Sequence, residues 1–373
     1  MKTALLLLFL LAMPHVSPAP IGCSEYLPCW IAVTEMMDML QGKDTERYNC
    51  SSRPLSDWYS TGQIHTIWGV YYITSGLIFQ IISWPVIFVF SSQNTLTNMY
   101  NVFRVLAFIG VIECTEVWGV SIWSGVALLG GEVYCTNPIM ATIVGKVTMV
   151  QWITGTTSAI FLGFHRLSDV TEKAKWFHNT PLKKALWFTL FTVYGVIGSV
   201  FYDTVLFNSR LMAPLLNPMI SAKTEYTYSN EFLRYHNLAA SVILIIVYSA
   251  VTNAWYKKKT DPVAQSQSWH THRKLDNRVL IQSVFLSLTY VIPAISFVVI
   301  YFIAEPPAWL VLFSDLSYQL SGGLPFIMYI CINTKVRKEF LRVLGIKQTP
   351  QISPMNNTNT LSTFLSTSRF FQN

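Results

Sequence analysis

The sequence predicts an all-α membrane protein, a bundle of seven transmembrane helices, and three observations carry that expectation. Only 12% of the 373 residues are charged and 52% are apolar, about half the charge of an ordinary soluble domain. The apolar residues fall into long runs, several of them near the roughly 20 residues a helix needs to cross ~30 Å of hydrocarbon. The Lys and Arg residues sit in short clusters between those runs, so the net charge of +7 reads as membrane topology and not as a nucleic-acid surface.

Residues 1–19 read as a secretory signal, because a charged start is followed by a short apolar core over residues 4–13 that is too brief to span. An uncleaved anchor is the alternative. Residues 20–65 form an external tail with mixed charge, three cysteines (Cys23, Cys29, Cys50) and the sequon Asn49-Cys50-Ser51, which makes Asn49 a glycosylation site if the tail is outside. The bundle occupies 66–333. Span one is Trp68 to Phe90, inside a stretch from Thr66 to Phe103 with no Asp, Glu, Lys, Arg or His. Span two runs from Val102 to about Leu129, span three from Ile139 to His165 and span four from Ala185 to Phe207. Span five is His236 to Tyr256, span six Val279 to Ala304 and span seven Ala308 to Ile332. Residues 334–346 then place Val336, Phe340, Leu341, Val343 and Leu344 on one helical face and Lys335, Arg337, Lys338 and Arg342 on the other, the pattern of a helix lying on anionic lipid. The polar tail 347–373 is expected to be disordered, and its sequon at Asn356 to stay bare.

Orientation follows from positive charge. With the N-terminus outside, 18 of the 26 Lys and Arg residues fall on the cytoplasmic side and 6 on the external side, the other two being Lys2 and Lys146. Seven spans with the N-terminus out and the C-terminus in are the layout of a G-protein-coupled receptor.

Several motifs stand in a telling order: Tyr48-Asn49-Cys50 before span one, Ile109-Gly110-Val111-Ile112-Glu113 in span two, and Cys135-Thr136-Asn137-Pro138 before span three. Gly145 and Trp152 follow within span three, a basic motif ends it, and Gly323-Leu324-Pro325 with Tyr329 and Asn333 marks span seven. From Tyr48 to Leu344 the chain resembles the nematode class T serpentine receptors, a family of chemoreceptors. The resemblance implies an unknown external small-molecule ligand, a heterotrimeric G protein as partner, and a multi-pass place in the plasma membrane, with the sensory cilium as the family's setting. No cofactor is expected, no Cys-x-x-Cys or Cys/His spacing suggests a metal site, and the scattered basic clusters suggest no nucleic acid. The chain departs from the pattern at His165, where the family has Asn and rhodopsin-like receptors an acid. It also departs in the Pro325 to Tyr329 spacing, one residue longer than in rhodopsin-like receptors, and at Val291, two residues before Pro293, where those receptors carry Trp.

Arg166, at the inner end of span three, is the residue expected to meet the G protein, since a guanidinium can pair inside the bundle in one state and with a partner in another. Glu113 and Glu116 are three apart on one face of span two, and both should turn inward to avoid lipid. Glu113, with Pro293, Pro325 and Tyr329, is the expected coupling set, the prolines acting as kinks. Lys146 and Asp315 lie at matching depth, roughly 11 Å below the outer ends of spans three and seven, so the sequence predicts that they face each other in the ligand pocket. A lysine snorkelling to the headgroups is the bland alternative. Trp118, Trp123 and Trp152 are further pocket candidates. Among Cys23, Cys29, Cys50 and Cys135 three pairings are open, and the resemblance points to Cys50 with Cys135, leaving Cys23 and Cys29 for each other.

The rival function is a ligand-gated channel or membrane carrier. No inverted halves of matching pattern and no polar stripe suited to a pore stand out. No His cluster, paired Asp motif or nucleophile elbow within the spans suggests an enzyme.

Overall fold

The computed structural model describes residues 29–92, 102–220, 228–260, 269–303 and 306–346, with side chains throughout except at 29–30 and 269–280. The proposed signal at 1–19, Cys23, the Cys29 side chain and the tail 347–373 with Asn356 lie outside the described residues. Two short helices fold the N-terminal tail, α1 (Cys29–Leu40) and α2 (Leu55–Thr61), and neither was expected from the sequence. They are held by Met39, Tyr48 and Trp58, which pack with Val133, Tyr134 and Cys135 at one end of the bundle.

Span one is α3 (Thr66–Ser91), with Pro85 inside it, and span two is α4 (Val102–Gly130). Helix α4 closes at Gly131, whose left-handed backbone (φ 65°) is the usual glycine C-cap. Its middle, Trp118–Trp123, widens into a π-turn, a rare irregularity that often marks function. Span three is α5 (Pro138–Thr171), which opens with proline at its first turn and runs six residues past the expected His165. Span four, α6 (Pro181–Val200), starts earlier and ends earlier than expected. Thr180 caps it by accepting from the Lys183 backbone N–H, and Pro181 presets its first turn. The apolar residues assigned to its end instead form strand β1 (Leu206–Asn208), paired antiparallel with β2 (Ala213–Leu215), Leu206 opposite Leu215. Apolarity alone could not separate a span from a strand folded back onto the bundle.

Spans five and six are α7 (Glu231–Thr260) and α8 (Trp269–Tyr301). Lys257, Lys258 and Lys259 sit in the last turn of α7, where cations suit the helix dipole. Span seven is broken into α9 (Ala308–Ser321) and α10 (Leu324–Ile332). Pro325 therefore does not kink a continuous helix, as expected, but opens the second half, where a missing N–H costs nothing. A Cβ on Gly323 would stand 2.2 Å from the Phe79 ring, so the break also lets span seven press against span one. Asn333 then caps α11 (Thr334–Val343) through the backbone N–H groups of Lys335 and Val336.

Among the described residues, five helices, α3, α4, α5, α7 and α8, are long and apolar enough to cross a membrane. Helix α6, 20 residues and so ~30 Å long, and the broken α9–α10 complete the seven. Span three is central, packing on spans two, four and five, while five meets six, six meets seven and α11 meets span one. Large apolar side chains such as Ile67 (84% exposed), Ile81 and Phe88 point outward, while Glu113, Glu116, Asp315 and Gln319 are buried. Apolar outside and polar inside is the arrangement lipid imposes.

Candidate functional site

Two ends of the bundle differ in chemistry. At the disulfide end, Cys50 is bonded to Cys135, tying the tail to the start of span three. There a cavity of about 650 Å³ opens between spans two, three, five, six and seven, beneath the β-hairpin. The hairpin comes this low because span three offers Gly145 below it. A Cβ there would meet the Val205 carbonyl oxygen at 2.0 Å.

Trp152 reaches into this cavity from span three, and its Nε1–H donates to Oδ1 of Asn237 in span five at 2.8 Å. Its ring stands edge-on to Tyr318 of span seven, 4.9 Å between centroids, and 5.9 Å from Tyr290 of span six. The Tyr290 hydroxyl donates to Glu113 of span two at 2.9 Å. One tryptophan thus touches the cavity and a buried tyrosine–carboxyl pair. Trp123 also lines the cavity, edge-on to Phe207 of the hairpin. Arg234 and Tyr301 line it near the mouth, the guanidinium 4.5 Å from the ring and paired with Glu231.

A polar knot closes over the site. Arg47 in the tail pairs with Glu35 of α1 and with both carboxylate oxygens of Asp203, at 2.9 and 2.8 Å. Its guanidinium also lies within 6 Å of the Tyr48 and Tyr228 rings. Burial works against the Arg47 charge, but the hydrogen bonds it donates to Asp203 and Glu35 hold it protonated above its ordinary range. The Tyr228 hydroxyl donates to the Arg47 carbonyl at 2.8 Å, and Tyr228 itself lines the cavity. Sequence reasoning missed this knot. Charged and aromatic groups far apart along the chain carry no local signal of their meeting.

The expected Lys146–Asp315 pair is not formed, and neither residue lines the cavity. Lys146 Nζ donates to the carbonyls of Ser199 and Tyr202, at 2.6 and 2.9 Å. These are oxygens at the end of span four, where a helix leaves carbonyls unpaired and favours a cation. Asp315, fully buried, accepts from the Tyr72 hydroxyl of span one at 2.6 Å. Each side chain points to a different neighbour. Trp118 is a second correction: it is 54% exposed and does not line the cavity. A large apolar ring facing lipid is at no disadvantage, so its composition could not place it.

Toward the basic end, Glu113 and Glu116 are both buried as the inward-facing argument required. Pro293 lies inside α8, three residues after Tyr290. Tyr329 is buried and edge-on to Phe90, 5.2 Å between centroids. Arg166 is only 7% exposed and close enough to Tyr248 and Tyr329 to interact with both electrostatically. The guanidinium is thus held inside the bundle. Asn49 is exposed on the tail.

The model of a protein family described as serpentine type 7TM GPCR chemoreceptor Srt matches residues 36–352. The chain is 47% identical over 370 residues to serpentine receptor class T-55 of Caenorhabditis elegans, covering 98% of this chain and 99% of that one. Its fold is similar to that in the crystal structure of squid rhodopsin, with a TM-score of 0.59 at 9% identity over 80% of this chain and 87% of the other. With a family match across most of its length and a relative at nearly half identity end to end, the chain is a multi-pass membrane protein of the Srt family of serpentine 7TM chemoreceptors.

Proposed function

We propose that this receptor takes an external small molecule into the cavity beneath the hairpin and activates a heterotrimeric G protein at its basic end, with the N-terminus outside and the C-terminus in the cytoplasm. The observation that carries the reading is the contact series from the cavity to the interior: Trp152 against Tyr290, and Tyr290 bonded to Glu113. A ligand that displaces Trp152 changes the setting of spans two and six, the kind of two-state element that coupling between distant sites needs. The cavity volume lies in the range of small-molecule sites, and its wall is mainly apolar with a few polar groups, which suits a small, largely apolar ligand with one hydrogen-bonding end. The buried Arg166 fits a resting state whose opening would release the guanidinium to a partner. The plasma membrane is the proposed site of action, with the sensory cilium as the setting in accord with the family.

A ligand panel tested in cells carrying a promiscuous G protein checks the reading, with guanine-nucleotide exchange, membrane current and solute uptake recorded together. Exchange evoked by a ligand, and lost in Trp152→Ala at equal surface expression, is the expected result. Current or uptake without nucleotide exchange would point to a channel or carrier instead.

A further inference from the structure

At the basic end of span three a second cluster of side chains has no part in the cavity or in the coupling residues. His165 and Asp169 stand one helical turn apart on the same face, and His178 comes from the turn before span four to lie against them. The two imidazole centroids are 3.9 Å apart, and both rings are nearly inaccessible. One donor atom from each of His165, Asp169 and His178 lies within 4.8 Å of the others.

The hydrogen bonds leave ring nitrogens unspent. Ser168 Oγ gives its proton to the Lys173 carbonyl at 2.5 Å, so it must accept from His178 Nε2–H at 3.1 Å. That assigns the tautomer and leaves Nδ1 of His178 with a bare lone pair, buried and without a partner. His165 Nδ1 is 3.0 Å from Asp169 Oδ2, while its Nε2 is buried and unpartnered. Buried polar atoms are nearly always satisfied, so the bare Nδ1 of His178, beside a second imidazole whose plane is tilted by 33°, is an unusual arrangement. The loop around them is bent as well, with Glu172 and Ala174 both in left-handed conformations (φ 58° and 57°) that non-glycine residues rarely adopt.

We propose that His165, Asp169 and His178 form a binding site for a divalent transition-metal ion, with Zn²⁺ the best match to the donor set. The ion would take the place of the proton between His165 Nδ1 and Asp169 Oδ2. Their 3.0 Å separation is close to the ~3.3 Å between neighbouring tetrahedral ligands at zinc–nitrogen and zinc–oxygen distances. The displaced proton moves to His165 Nε2, and His178 adds Nδ1 while Nε2–H keeps its bond to Ser168, the outer-shell anchor typical of a ligating histidine. Arg166 and Lys184 act electrostatically on His165, so the site does not attract cations by field alone. It selects by ligand softness, for which two imidazoles favour Zn²⁺ or Cu²⁺ over Mg²⁺ or Ca²⁺. Three protein donors leave one position open to water or to a partner. Filled, the site would tie the loop after span three to the helical turn that carries Arg166.

Metal binding is read directly, so this inference stands or falls apart from G-protein coupling. The test uses the full receptor in lipid nanodiscs without a histidine tag, carrying His270→Ala and His272→Ala to remove the other histidine pair in the sequence on that side. Zn²⁺ is titrated against a chromophoric chelator, and Co²⁺ is added separately to look for the visible band of a low-coordinate nitrogen–oxygen site. One equivalent should bind, with affinity falling at least tenfold in His178→Ala and in Asp169→Asn. His178 is on a loop and Asp169 is partly exposed, so both variants should fold; if either does not, the Co²⁺ band in the parent decides. No binding in the parent at micromolar Zn²⁺, a Co²⁺ spectrum no different from free Co²⁺, or equal affinity in parent and folded variants overturns the assignment.

Discussion

Lys146 and Asp315 allow a test in which the tertiary structure and the sequence pattern give opposite answers. Lys146→Met keeps most of the side-chain stem and removes two charge-assisted hydrogen bonds, to the Ser199 and Tyr202 carbonyls. Such bonds contribute about 1.5–3 kcal/mol each, but Lys146 is only half-buried and the freed carbonyls can be rehydrated. A net loss of about 2–3 kcal/mol is expected, or a fall of roughly 5 °C in apparent Tm. Asp315→Asn retains an acceptor for the Tyr72 hydroxyl and should cost about 1 kcal/mol. The two sites share no partner, so the double variant should be additive within about 0.5 kcal/mol. By contrast, Tyr72→Phe combined with Asp315→Ala, which removes the acceptor altogether, should show coupling of about 1–2 kcal/mol, because one hydrogen bond joins them. The assay is thermal unfolding of purified receptor followed by intrinsic fluorescence, with surface expression as a second readout. The charge-swapped double variant, Lys146→Asp with Asp315→Lys, should be worse than either single change. If it recovers stability, or if Lys146 and Asp315 couple by more than about 1 kcal/mol, then the two side chains face each other after all and their separate partners are wrong.

Three further outcomes are expected. Arg166→Ala should reach the cell surface and lose nucleotide exchange on a G protein, whereas retention inside the cell would assign the residue to folding alone. Non-reducing peptide mapping should recover Cys50 and Cys135 in one linked pair. Cys135→Ser opens a loop of 85 residues and should lower stability by up to about 4–5 kcal/mol on the chain-entropy account; a free Cys135 thiol in the native protein would contradict the bond. Gly323→Val drives a side chain into Phe79 and should cost about 1–3 kcal/mol by overpacking. Trimming the ring with Phe79→Ala should restore part of that loss, and failure to do so would remove the close approach as the reason for glycine.

Much of the fold was legible in the amino-acid sequence because lipid makes a simple demand. Every spanning backbone must satisfy its own hydrogen bonds and present apolar side chains outward, so long, largely apolar runs locate spans one, two, three, five and six with little ambiguity. The same demand is enough to turn Glu113 and Glu116 inward. Its limit shows at span four and span seven. Residues 201–207 are as apolar as a helix end but belong to a turn and a strand over the cavity, and Gly322-Gly323-Leu324-Pro325 reads as a kink but is a full break.

What the sequence determined by itself was the membrane class, the number of spans, the inward-facing carboxyls and the amphipathic helix after span seven, each of which follows from local composition and period. Only the tertiary structure decided which neighbour each interior side chain meets. Lys146 turns to the carbonyls of span four and Asp315 to Tyr72 of span one, Trp152 enters the cavity while Trp118 faces outward, and Arg47 ties Glu35 to Asp203. The physical reason is that depth along a helix is written in residue number. The rotation of each helix about its own axis, by contrast, is set by how all seven pack together, and no single stretch of chain contains that information.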